Sequence, residues 1–253
     1  MTIDFGAACS DLFKPKQKWQ TLLLLSVCIL IPVVGQIVVM GYLYRRHAGE
    51  RVGIPAADFD FSDFGEHLQA GLWPFLSGLV ASLVAIPVLM LTMLPMFLGP
   101  LLAPDNDAVV LIGFAVGMLL YLVVFAVMIL FLTPVQLRSG LMMDFKAGFS
   151  KDFVFGFIRK VGLSYLLWFV LLNLMVIPLA LLGSLALFVG GYVVAAWGQA
   201  VAMHLLFQHY DLYLERGGAP IPVHPALLKV LTKPALPPLP SPGPPPPPAA
   251  PSS

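Results

Sequence analysis

Four stretches of this chain, 72–102, 108–132, 163–182 and 185–207, contain no Asp, Glu, Lys or Arg. A helix crosses roughly 30 Å of hydrocarbon with about 20 apolar residues, so each stretch is long enough to span. Backbone groups in lipid must be satisfied within the segment or by a closed barrel, and the alternating pattern of barrel strands is absent. The expected fold is therefore all-α: a polytopic helical membrane protein with four transmembrane helices. Composition points the same way, with 59% hydrophobic and only 11% charged residues, against about 25% charged in soluble domains.

A fifth apolar stretch, 21–44, follows a polar N-terminal segment, 1–20, and is interrupted by Ile31-Pro32-Val33-Val34-Gly35. Proline removes a backbone donor and glycine loosens the chain, so a break is expected there. Lys14, Lys16 and Lys18 precede this stretch and Arg45, Arg46 and Arg51 follow it. Basic residues favour the cytoplasmic side, so equal flanks favour a re-entrant or broken helical hairpin over a single span. With both termini cytoplasmic, all 14 basic residues lie inside, and the outer connections are the acidic 103–107 and a tight Gly183-Ser184 turn.

From Gly217 onward the composition changes, with 14 of the 24 prolines in the last 37 residues. Residues 217–253 are expected to form a disordered, polyproline-rich tail. The net charge of +1 excludes a nucleic-acid footprint. Cys9 and Cys28 alone make neither a disulfide framework nor a zinc site. Asp58, Asp60, Asp63 and Glu66 lack calcium-loop spacing, and Asp63 with Glu66 reads better as a capping box. No cofactor or metal is expected, and no nucleophile with a base, so the chain is not expected to be an enzyme.

The segment between the second and third spans carries Phe145, Phe149, Phe153 and Phe157 at four-residue spacing, with Lys146, Lys151, Arg159 and Lys160 around them. A helix with this stripe is expected to lie in the headgroup plane, rings immersed and cations among lipid phosphates. Packing of the rings against the other loops is the competing reading. Within the spans, Gly113-x-x-x-Gly117 and Gly191-x-x-x-Ala195 place small residues on one helix face for close packing. Gln36, Asn173 and Gln199 either line a polar path or hydrogen-bond between helices. No ionisable residue is expected at the bilayer centre, which argues against a pump. Membrane lipids, and a membrane-protein partner, are the expected partners; a facilitative transporter or channel is the alternative function.

One ordered set of motifs carries a family resemblance: Phe13-Lys14, Lys18-Trp19, Leu30-Ile31-Pro32-Val33-Val34-Gly35, Gly41-Tyr42-Leu43-Tyr44-Arg45, Ile54-Pro55, Phe61-Ser62-Asp63-Phe64 and Gly71. In this order they resemble the uncharacterised prokaryotic multi-pass membrane family catalogued as domain of unknown function four thousand and thirteen. The similarity covers roughly Leu12 to Tyr210. It implies a prokaryotic cytoplasmic membrane and supplies no catalytic residues.

Overall fold

The structure, a computed structural model, describes residues 2–14, 16–185 and 189–228. Helices make up 83% of it, with no strand among the described residues. The elements are α1 (Phe5–Asp11), α2 (Lys18–Leu30), α3 (Val34–Arg51), α4 (Phe64–Thr92), α5 (Leu94–Leu102), α6 (Asp107–Met142), α7 (Phe145–Gly148), α8 (Lys151–Phe157), α9 (Leu163–Leu185) and α10 (Val189–Glu215). A π-helical turn, Ile158–Gly162, joins α8 to α9.

Four helical segments are long and apolar enough to cross a membrane: Phe61–Leu102, Asp107–Met142, Lys151–Leu185 and Val189–Glu215. The protein is an integral membrane protein. Exposure divides each long helix. In α4, Ser77 and Gly78 are buried while Leu79, Val80, Leu83 and Val84 are exposed. In α6, the outward apolar side chains end at Phe131 and a buried run begins at Thr133. Side chains that look outward and apolar are solvated by lipid at no cost, so these transitions mark where the hydrocarbon ends and a protein-packed polar end begins.

The N-terminal stretch forms the expected broken hairpin. Residue Val33, at φ 63 and ψ -65, closes a γ-turn in which the Val34 N–H donates to the Pro32 carbonyl at 2.7 Å. Exposed Ile31, Val33 and Val34 form its tip. The α3–α4 crossing needs two glycines, because a Cβ on Gly41 would lie 1.8 Å from the His67 carbonyl oxygen and one on Gly71 1.8 Å from that of Ile37. Deep in the polar end, Tyr44, Leu137, Leu141, Phe153, Phe157, Tyr210 and Tyr213 share one core.

Several boundaries differ from expectation. Helix α9 runs through Gly183-Ser184 to Leu185 instead of turning there; Gly183 and Gly190 allow backbone contact between α9 and α10. The packed structure extends past 217: Ile221 donates to the Tyr210 hydroxyl and His224 to the Leu141 carbonyl, and Ile221 and Leu227 are buried. Those two apolar side chains, set among prolines, are what the compositional reading overlooked. The remainder of the proline-rich tail, 229–253, lies outside the described residues. No capping box forms, since Asp63 makes no side-chain cap and Glu66 turns to Arg45 at 3.0 Å.

Candidate functional site: a buried charged cluster with a cavity

Helix α1 is positioned by polar contacts at both ends. Asp4 caps its N-terminus through the Ala7 N–H at 2.8 Å, and its backbone exchanges two hydrogen bonds with the Gln208 side chain. The Trp197 indole donates to the Cys9 carbonyl at 3.1 Å. These contacts place Asp11, the last residue of α1, against α3 and α10 with 1% of its surface exposed.

Around Asp11 stand residues from α3, from α10 and from the turn that follows α1. Arg46 Nη2 lies 2.9 Å from Oδ2 and also donates to the Asp11 carbonyl at 2.5 Å. Lys14 Nζ lies 2.7 Å from Oδ1, His204 Nδ1 3.1 Å from Oδ1, and His47 Nε2 3.9 Å from Oδ2. On its other side the His47 ring meets Glu50, Nδ1 to Oε2 at 3.3 Å, and Arg46 Nε reaches Glu50 Oε1 at 3.5 Å. A cavity of about 330 Å³ opens beside His47, Glu50, His204 and Gln208. Its rim carries Arg51, which pairs with Asp211 and lies over the Tyr210 ring at 4.4 Å.

Burial by itself pushes the Asp11 carboxyl up, but contact with His204 and Lys14 and the charges of Arg46 and His47 outweigh it and hold it well below the usual range. Glu50 is also lowered, His47 and Arg46 overcoming its burial. His47 is pushed down by burial, against the pull of Glu50 and Asp11. All three shifts have one sign for stability. The lowered carboxylates stabilise the fold above the ordinary carboxylate range and lose that contribution as pH falls through it. A histidine kept neutral stabilises above its ordinary value near 6.5 and loses that contribution below it. Thermal unfolding in detergent is therefore expected to be flat from about pH 8 to 7 and to weaken from about pH 6.5 downward. His47→Gln should reduce the first step of that decline; a melting temperature that rises on acidification would contradict the assignment.

The residues singled out from sequence are dispersed. Phe153 and Phe157 do not face lipid: they are 3% and 1% exposed, packed on Tyr213 with Arg138 over the Phe153 ring. A break at Phe149-Ser150 separates α7 from α8 and rotates the second half of the stripe inward. Phe149 and Phe155 are the exposed rings, Phe145 is half-buried against Phe149, and Lys146, Lys151 and Arg159 are exposed. Lys160 instead caps the Arg216 carbonyl and lies over Tyr213. Gly113 and Gly117 do admit α5 closely, at Pro95 and Met96, and Gly191 admits Ser184. Ala195 is only half-buried, whereas its neighbour Ala196 is 0% exposed. Gln199 donates to Gln36 at 2.8 Å across α10 and α3, beside a cavity of about 210 Å³ shared with Thr133, Gln136 and Tyr165. Asn173 bonds within its own helix, its amide donating to the Phe169 carbonyl at 2.8 Å.

Residues 24–198 match the family described as Protein of unknown function (DUF4013). The chain belongs to that family. The DUF4013 span includes Arg46, His47 and Glu50 and stops short of Asp11 and His204. No curated protein and no solved structure matches the chain. Sequence reasoning missed the Asp11 cluster because Arg45 and Arg46 read as charged flanks. The one readable signal was Glu50 at three and four residues from His47 and Arg46, a spacing that pairs side chains on a helix.

Proposed function

We propose that this protein is a non-catalytic multi-pass component of a prokaryotic cytoplasmic membrane, termini inside, which binds anionic phospholipid through the segment joining α6 to α9. The supporting observation is the outward face of that segment. Lys151, Phe155 and Arg159 recur at four-residue intervals on it and are exposed, Phe155 by 58%. Phe149 closes one end of an apolar groove of about 280 Å³ formed with Ala81, Val84, Ala85, Met128, Phe131 and Leu132, where α4 and α6 leave the hydrocarbon. An acyl chain fits the chemistry of the groove, and its headgroup would meet Lys146 and Lys151. Phe153 and Phe157 serve this reading from inside, by anchoring α8 so that its cations face outward. Each cation near a charged leaflet is worth about 1 kcal/mol, so three of them, opposed by exposed Asp152, leave about 2 kcal/mol and support a preference of roughly thirtyfold for anionic lipid.

The test is native mass spectrometry of the delipidated full chain titrated with phosphatidylglycerol or phosphatidylcholine. Phosphatidylglycerol should be retained preferentially, the preference should vanish in the Lys146→Ser, Lys151→Ser, Arg159→Ser variant, and Phe149→Ser with Phe155→Ser should weaken both lipids. Equal retention of the two lipids by the unmodified chain would overturn the reading. The Gln36–Gln199 cavity favours a second reading, passage of a small polar solute, for which solute uptake into proteoliposomes above protein-free controls is the measurement.

A further inference from the structure

The geometry points to a divalent transition-metal site formed by Asp11, His47 and His204. The ligating atoms, one carboxylate oxygen and one nitrogen from each ring, all lie within 4.8 Å of one another. On a tetrahedral zinc ion, ligands at about 2.0 to 2.2 Å stand roughly 3.4 Å apart, so small side-chain rotations complete the set. Asp11 and His47 are 1% and 3% exposed. His47 Nε2 is buried with no hydrogen-bond partner and stands 3.9 Å from Asp11 Oδ2, while His204 Nδ1 lies 3.1 Å from Oδ1. A buried imidazole nitrogen turned toward a carboxylate without a partner of its own is costly. A cation between them satisfies all three side chains together.

The surroundings have the form of an outer shell. Glu50 Oε2, 3.3 Å from His47 Nδ1, accepts a hydrogen bond from a proton held on that nitrogen and so leaves the Nε2 lone pair turned toward Asp11, the carboxylate–imidazole–metal arrangement that orients ligating histidines. Arg46 holds Asp11 Oδ2 and its carbonyl, which fixes the carboxylate plane. Lys14 is the competing cation. Its ammonium stands on Oδ1 at 2.7 Å, but its side chain is 49% exposed and free to swing into solvent when an ion replaces it. Two imidazoles and one carboxylate suit zinc, cobalt or iron rather than calcium or magnesium, which prefer all-oxygen sites. Because both rings line the cavity of about 330 Å³, a fourth position faces open space where water can bind.

This site stands independently of the lipid reading. The experiment titrates the full chain, purified in detergent without a polyhistidine tag, with Zn²⁺ by calorimetry and with Co²⁺ by visible absorption. One ion per chain is expected, with Co²⁺ bands displaced by Zn²⁺. His47→Ala and His204→Ala should each weaken binding by at least about tenfold, and Glu50→Gln by roughly tenfold as an orienting group. His67→Ala and His224→Ala should leave it unchanged. Lys14→Ala, at a half-exposed position that folding tolerates, should bind Zn²⁺ more tightly because a competing charge is gone. Absence of stoichiometric binding, a site that survives both histidine substitutions, or an affinity indifferent to Lys14 would overturn the assignment.

Discussion

Replacing Arg46 with methionine is expected to cost about 3 kcal/mol of folding stability, the lower end for breaking a buried ion pair. The guanidinium is 0% exposed and holds both Asp11 Oδ2 and the Asp11 carbonyl. Methionine fills similar volume but leaves a carboxylate that is 1% exposed with Lys14 and two imidazoles as its remaining partners. Those partners keep the cost from reaching the upper end of the range. Arg46→Lys keeps the charge and loses the forked geometry, so its cost should be smaller. Adding Asp11→Leu to Arg46→Met should recover much of the loss, because the orphaned charge is then removed with its partner. Fluorescence-detected unfolding in a mild detergent measures all four proteins. A single Arg46→Met variant as stable as the parent would show that α1 does not hold α3 through this pair.

The second large effect is steric. In Gly41→Ala the new methyl would stand 1.8 Å from the His67 carbonyl oxygen, and in Gly71→Ala it would stand 1.8 Å from that of Ile37. Both obstacles are backbone, so no side chain can turn aside and the helices α3 and α4 must separate. Each substitution is expected to cost about 3 kcal/mol or more, at the top of the range for overpacking. Separation also draws Arg45 away from Glu66 and His67, its partners at 3.0 and 3.2 Å. Once the helices have parted, the second methyl meets no obstacle, so the double variant should cost less than the sum. Gly65→Ala is the control: nothing lies within 4 Å of its added Cβ, and it should be neutral or stabilising by up to about 1 kcal/mol. A Gly41→Ala protein matching the Gly65→Ala control would remove the close crossing from the account.

Much of this architecture is local in origin. Uncharged runs at 72–102, 108–132, 163–182 and 185–207 have no stable solution except helices surrounded by lipid or protein, so their existence and class follow from composition alone. The break at Ile31 to Gly35 follows from one missing donor and one missing side chain. The small-residue faces at Gly113, Gly117 and Gly191 follow from the same kind of local rule, since closeness of approach is set by the residue itself. The phenylalanine stripe shows where such rules stop. Four-residue spacing predicts a common face only if the helix is continuous, and the break at Phe149-Ser150 turned Phe153 and Phe157 into the core while leaving Phe155, outside the stripe, exposed.

What sequence determined by itself is the solvent: so few charges and such long apolar runs require hydrocarbon, and hydrocarbon requires helices. Only the tertiary structure decided which polar residues share a space. Asp11, His47 and His204 are separated by 36 and 157 positions in the chain and carry no common spacing. They meet because Gln208 and Trp197 seat α1 on α10 while the Gly41–Gly71 crossing sets α3 beside them. Periodicity reports the face a side chain takes on its own helix. It carries no information about which other helix that face will meet, because that choice depends on packing across the whole bundle.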